Sequence, residues 1–406
     1  MNSTDARIVF AARLVRLFAY GFLSVALFLY LSARGFGEAA IGLLLTFTLL
    51  GDAGISLWLT THADRAGRKR TLLIGAALMT LAGIVFALSD NFYVLAIAAI
   101  IGVISPSGNE IGPFLSVEQA SLTQLLPDSE RTRVFAWYNL IGSFATAFGA
   151  LCGGILAQSL QNHGFSALDS YRAVVIGYAS FGILLAALFL FLSPAIEVPV
   201  SLPRALTASF LGLNRSQRIV LQLSALFALD AFAGGFIVSS ILVFWFNLQF
   251  GLDPGQLGAL LFAANILAGI SALSAARLAK KFGLVNTMVF THLPSNILLM
   301  LVPLMPNVWL AVALLLIRFS ISQMDVPTRQ SYTMAVVAPD ERSAASGVTT
   351  IARSLGAAIA PALSGAMLAI PALVSAPFFV AGGLKIVYDL LLFRQFRAVK
   401  PPEEKR

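Results

Sequence analysis

Long apolar runs alternate with short polar breaks along the whole chain, at 8–33, 39–62, 72–88, 92–118, 134–158, 172–192, 218–246, 255–278, 285–304, 308–331, 345–370 and 373–394. Each approaches the roughly 20 residues that a helix needs to cross the hydrocarbon of a bilayer. Lipid offers backbone amides no partner, so each run is predicted to be a helix that satisfies its own hydrogen bonds. The pattern predicts an all-α integral membrane fold of twelve transmembrane helices. Six lie in 1–193 and six in 218–406, and the proline-bearing polar stretch 194–217 reads as a cytoplasmic linker between two pseudo-symmetric six-helix bundles.

Composition agrees. Of 406 residues 58% are hydrophobic and 11% charged, where a soluble domain has about 25% charged, and mean hydropathy is +0.86. A net charge of +8 raises nucleic acid as a partner, but the basic residues are scattered over short loops, which argues against that class. They set orientation instead. Arg65, Arg68, Lys69, Arg70, Arg131, Arg133, Arg215, Arg218, Arg277, Lys280 and Lys281 fall in loops on the side of the termini, and only Arg34 and Arg172 fall on the other. Cytoplasmic loops carry the lysine and arginine excess, so both termini are expected in the cytoplasm of a multi-pass cell (inner) membrane protein. Trp58, Trp137, Trp245 and Trp309 lie near run ends and are expected to be interfacial anchors. The first run is too long for the core of a cleavable signal peptide and is expected to act as its own targeting signal. Cys152 has no partner cysteine, His62, His163 and His292 stand isolated, and no phosphate-binding glycine loop occurs. No enzyme activity, cofactor, metal or direct ATP drive is expected.

Internal repetition sharpens the picture. Ala-Asp-Arg-Ala-Gly-Arg-Lys-Arg at 63–70, after the second run, has a faded copy after the eighth, Leu-Ala-Lys-Lys-Phe-Gly at 278–283. Placing Gln119 on Gln330 also superposes Glu130 on Glu341, Arg131 on Arg342 and Gly154 on Gly365, so the halves share ancestry. The same offset sets Ala145, Gly149, Ala150, Gly153 and Gly154 of the fifth run on Gly356, Ala360, Pro361, Ser364 and Gly365 of the eleventh. Small residues at such spacing let helices approach closely.

This layout resembles the major facilitator superfamily over essentially the whole chain. The Asp-Arg-x-Gly-Arg-Lys core of that family's loop signature stands intact at Asp64, Arg65, Ala66, Gly67, Arg68 and Lys69, while the signature's leading glycine and leucine are Thr60 and His62. Spans five and eleven resemble the Gly-x-x-x-Gly-Pro-x-x-Gly-Gly pattern of its drug–proton antiporters, departing at Ala145 and Ala150 in one and at Ala360 and Ser364 in the other. The resemblance implies alternating access to a substrate near the midplane, with spans one, four, seven and ten lining the cavity. It also implies that Asp64 meets the N-terminus of span eleven, where the helix dipole favours an anion.

A charge near the bilayer centre costs about 2.5 to 3.5 kcal/mol on insertion scales, so each needs a partner, water or a task. At 1.5 Å rise per residue Arg16 lies about 12 Å into span one, Asp230 about 18 Å into span seven and Arg318 about 15 Å into span ten. Helical spacing turns Ser107, Glu110 and Phe114 one way, with Pro106 and Pro113 loosening span four. The same spacing aligns Arg318, Ser322 and Asp325, with Arg329 one turn beyond. Glu110, Asp230, Asp325 and Asp52 are therefore the candidate proton carriers, in that order. Arg16, Tyr20, Ser107, Asn109, Arg318 and Ser322 are candidates for the substrate cavity. Asp64, Arg65, Gly67 and Arg68 are candidates for a conformational loop, and Gly149, Gly153, Gly154, Gly356, Pro361 and Gly365 for helix packing. Plainer roles stand beside these: Asp230 with Arg16, or Asp325 with Arg329, as permanent ion pairs fixing register. Lys385 with Asp389 reads as a local pair near the surface, and Lys69 and Arg70 as topology markers.

The expected function is proton-coupled secondary transport by alternating access, exporting a small organic or amphipathic compound, with protons and the lipid bilayer as the other partners and a monomer as the working unit. Two alternatives stay open. One is a proton symporter importing a polar metabolite or an organic anion held by Arg16 and Arg318; the other is a non-transporting receptor or scaffold of the same fold.

Overall fold

The computed structural model describes residues 4–110, 112–125, 128–197, 213, 215–338 and 341–399. In chain order the helices of the first half are α1 (Thr4–Ser24), α2 (Leu27–Ala33), α3 (Glu38–Ala66), α4 (Arg68–Leu88), α5 (Phe92–Ile101), α6 (Phe114–Leu125), α7 (Asp128–Asn162) and α8 (Ala167–Leu190). The second half holds α9 (Gln217–Gly235), α10 (Ser239–Phe250), α11 (Pro254–Phe282), α12 (Leu284–Leu301), α13 (Val308–Ser322), α14 (Asp325–Val336), α15 (Arg342–Leu368) and α16 (Ala376–Phe396). Ten helical segments among the described residues are long and apolar enough to cross a membrane, and the pair α1–α2, bent by 42°, makes an eleventh. The expected linker 194–217 falls mostly outside the described residues, and within it Pro194–Ile196 form a single 3-10 turn.

The remaining expected span, 92–118, is not one helix. It breaks between α5 and α6, the described residues 102–110 and 112–113 lying outside any helix. Gly108 and Gly112 there have φ of +69° and +81°, a backbone region that favours glycine, and Pro106 and Pro113 cannot donate to a helical ladder. Ser107, Glu110 and Phe114 consequently share no helical face. Span ten breaks too, between α13 and α14, which ends the expected alignment of Arg318 and Ser322 with Asp325. With the joint between α1 and α2 and that between α9 and α10, the first, fourth, seventh and tenth spans are all interrupted.

Two compact units emerge, Met1–Ser201 with Val238–Asn265, and Leu202–Ile237 with Ile266–Arg406. In the first, α7 lies on α1: a Cβ at Gly149 would stand 2.0 Å from the Phe18 carbonyl oxygen, and one at Gly153 2.3 Å from that of Phe22. Gly154 of α7 is as close to α11, 2.3 Å from the Pro254 oxygen. In the second, α15 lies on α9 in the same manner, with Gly356 at 2.4 Å from the Ala228 oxygen. Pro361 and Gly365 are buried further along α15. The second unit's core gathers Leu223, Phe227, Met288, Val289, Tyr332, Tyr388 and Leu392. Trp58, Trp137 and Trp309 are exposed, but Trp245 is fully buried, edge-on to Phe246 and Phe250, so it is a core residue and not an interfacial anchor.

Candidate functional site

Each unit encloses its own network of ionised side chains. In the first, the broken stretch of span four carries Glu110 between two arginines of α1. Arg13 Nη1 donates to Glu110 Oε2 at 2.6 Å, and Arg16 Nε donates to Oε1 at 2.8 Å. The two Nη groups of Arg16 grip Glu118 of α6 at 2.5 and 2.9 Å, a bidentate fork, and the Tyr138 hydroxyl donates to the same carboxylate. Arg13 Nε donates to the Tyr138 carbonyl at 2.7 Å. Arg16 and Glu118 have no exposed side-chain surface, whereas Glu110 keeps 17%. Arg16 thus pairs with Glu110 and Glu118, not with Asp230 as the register pairing had it. Glu118 was not singled out from sequence, although an acid closing the apolar run 92–118 is the signal that would have found it.

Other candidates of this unit have firm structural partners. Asp52 Oδ1 accepts from the Ser56 hydroxyl at 2.8 Å and from the Gly112 amide at 2.5 Å. The Ser107 carbonyl accepts from Ser239 Oγ at 2.8 Å, the Pro106 carbonyl accepts from the Ser240 amide at 3.1 Å, and Asn109 is exposed. Tyr20 is fully buried beside Tyr178, ring centres 6.4 Å apart. At the loop, Gly67 turns the chain with φ +97°. The freed amides of Arg68 and Lys69 donate to the Glu197 carboxylate at 2.7 and 3.1 Å, an anion on the positive end of α4. Arg68 Nη1 reaches Gln124 at 2.9 Å. Lys69 Nζ donates to the carbonyls of Leu190 and Leu192, both at 2.7 Å, so it ties off the end of α8 besides marking topology. The side chains of Asp64 and Arg65 lie outside the described residues.

The second unit centres on Asp230 of α9. Lys385 Nζ donates to Oδ1 at 2.6 Å, while Arg329 and Arg353 donate to Oδ2 at 3.0 and 3.2 Å. Arg329 also donates to Asp325 at 3.1 Å, one helical turn away. Asp389 of α16 is fully buried and faces His292 Nδ1 at 2.8 Å, with Asn296 Nδ2 donating to its other oxygen at 3.0 Å. Lys385 and Asp389 are therefore not a local surface pair, and His292 is not isolated: their partners come from α9 and α12. Arg318 makes no ion pair with the described residues, its Nε is buried without a hydrogen-bond partner, and so is the Ser322 hydroxyl.

Most buried charges are matched, Arg13 and Arg16 against Glu110 and Glu118 in one unit, and Arg329, Arg353 and Lys385 against Asp230, Asp325 and Asp389 in the other, with Arg318 left over in the second. Comparison with known proteins gives this arrangement its context. The sequence profile of the Major Facilitator Superfamily matches residues 9–361 and again 227–406. The chain belongs to the major facilitator superfamily. As a member it is a multi-pass membrane transporter of small molecules and not an enzyme. It is 31% identical to the uncharacterized membrane protein YJR124C of Saccharomyces cerevisiae over 98% of this chain and 95% of that one. Solved transporters share the superfamily fold at low identity. The nucleoside transporter NupG superposes with TM-score 0.75 at 13% identity, covering 97% of this chain and 100% of that one. A D-xylose–proton symporter superposes with TM-score 0.70 at 16% identity, covering 96% and 97%.

Proposed function

We propose that this chain is a proton-coupled secondary transporter working by alternating access, as a monomer with both termini cytoplasmic, and that it exports a small organic compound across the cell membrane. The observation that carries the coupling is the placement of acids: Glu110 sits at the break in span four, partly exposed and shared by two arginines, and Asp230 is shared by three cations. A carboxylate held by several cations changes its proton affinity when any one of them moves, which is how a conformational change loads or releases a proton. The export direction leans on the resemblance of spans five and eleven to the antiporter pattern.

A second reading is favoured by Arg318. Arg16 spends its donors on Glu110 and Glu118, but Arg318 has a buried, unpartnered Nε, so a small organic anion moving with a proton would find a cation there. Proteoliposomes holding a pH-sensitive dye, given an imposed pH gradient and challenged with nucleosides, D-xylose, small carboxylates and cationic dyes, separate the two. Wild type is expected to couple one class to proton flux, and Glu110→Gln and Asp230→Asn to lose at least about tenfold of it. If the coupled class is anionic, Arg318→Gln is expected to weaken its uptake about tenfold or more. Gradient-driven movement equal to wild type in both acid variants refutes the coupling assignment.

A further inference from the structure

We propose that His292 and Asp389 form a proton-binding site between α12 and α16, and that a proton arriving there competes with Lys385 for Asp230. This site presupposes the proton-coupled reading above. The helices that carry the pair, α12 and α16, are not among the four interrupted spans, whereas Asp230 lies on α9 of the seventh.

The imidazole lies between two carboxylates. Its Nδ1 is 2.8 Å from Asp389 Oδ1, and its Nε2 is 3.9 Å from Asp230 Oδ1. A carboxylate can only accept, so the neutral ring carries its hydrogen on Nδ1 and turns the Nε2 lone pair toward Asp230. Two acceptors then face each other with no hydrogen between them. A proton from water that binds the Nε2 lone pair removes this conflict and makes a charge-assisted contact. Its release to water on the other face restores the neutral ring, so the cycle needs no other reactant. The oxygen that His292 would then address, Asp230 Oδ1, is the one that Lys385 Nζ holds at 2.6 Å, while Oδ2 is taken by Arg329 and Arg353.

The charge balance gives the proton an effect. With the ring neutral, Asp230, Asp325 and Asp389 already face Arg329, Arg353, Lys385 and Arg318, which has no ion pair among the described residues; a histidinium adds a further positive charge to this buried set. Release of Lys385 from Oδ1 relieves that excess, and its side chain is already 11% exposed. Asp230, which the ring would address, is surrounded by charged or titratable groups from each packed helix: Arg318 from α13, Asp325 and Arg329 from α14, Arg353 from α15, and Lys385 and Tyr388 from α16, while Asp389 of α16 faces the imidazole itself. Of these only Asp230 and Asp389 reach its nitrogens within ion-pair distance, and Tyr388 packs edge-on with ring centres 5.9 Å apart. Asn296 on the same helix fixes Asp389 Oδ2 and leaves Oδ1 to the ring.

The first readout needs no transported substrate. The chain has three histidines, so ring-carbon-labelled histidine in the detergent-solubilised protein gives a spectrum that His62→Gln and His163→Gln assign by difference. In wild type the His292 resonance is expected to change when the sample is taken from alkaline to acid pH, as Nε2 takes up its proton. Asp389→Asn and Asp230→Asn are each expected to displace the pH at which it changes, since each removes a carboxylate that faces the ring. A His292 resonance that does not move between alkaline and acid pH in wild type overturns the site, whatever becomes of the variants. A titration untouched by Asp230→Asn in folded protein overturns the competition with Lys385. A resonance that titrates as expected, in a protein whose transport ignores a pH gradient, instead overturns the proton-coupled reading and with it any transport role for this pair.

Discussion

Replacing Glu118 with leucine tests how the first unit holds its buried charges. The substitution leaves the Arg16 guanidinium, which has no exposed side-chain surface, with Glu110 as its carboxylate, and Glu110 already serves Arg13. Removing one partner of a buried pair costs about 3 to 5 kcal/mol, and the surviving contact to Glu110 sets the expectation at the lower end, about 3 kcal/mol. Arg16→Met strands Glu118 in the same way, with the Tyr138 hydroxyl as its remaining donor, and is expected to cost about the same. The double variant is different. It retains the matched pair of Arg13 and Glu110 and replaces the fork with apolar side chains of similar size, so about 0 to 2 kcal/mol is expected. The coupling energy is then about 4 kcal/mol or more. Reversible unfolding in mixed micelles of rising dodecyl sulfate fraction, followed by circular dichroism, measures all four corners of the cycle. Additivity of the single effects to within about 0.5 kcal/mol would refute the claim that charge matching, and not the mere presence of each side chain, sustains this core.

Two further outcomes follow from local geometry. Gly149→Ala puts a Cβ 2.0 Å from a backbone oxygen of α1, so the helices must part; a loss of about 1 to 3 kcal/mol is expected in the same unfolding assay, whereas Gly347→Ala, with nothing within 4 Å, is expected to be neutral or to gain up to about 1 kcal/mol from helix propensity. Glu197→Ala leaves the amides of Arg68 and Lys69 without their side-chain acceptor and is expected to cost about 0.5 to 2 kcal/mol, with faster hydrogen exchange at those two amides as the local sign.

Hydropathy reads the spans well because every one must look apolar to lipid, and it is blind to breaks for the same reason. The run 92–118 is apolar at its start and long enough overall to read as one span, and the break inside it is marked by the paired prolines, the two left-handed glycines and the polar residues Ser105, Ser107, Asn109 and Glu110. Asp325 and Arg329 were legible as neighbours because their contact follows the helical period. The partners of Asp230 were not: Lys385 stands 155 positions away on another span, and contacts between spans leave no period in a sequence. Lys385 and Asp389 misled for the converse reason, since their spacing allows a local pair but other helices offer each a better partner. Arg16 and Glu110 were both found as intramembrane charges, yet that they hold each other could be seen only in three dimensions.

Asp52 occupies the place that a helical carbonyl would fill if span four were continuous. Its carboxylate receives the Gly112 amide that the break leaves free. Replacing that carboxylate with an apolar side chain would leave the amide without its side-chain acceptor, and a helical conformation would offer it a carbonyl one turn earlier in its own chain. The acid ranked last among the candidate proton carriers thus ties α3 to the backbone of the broken segment that bears Glu110.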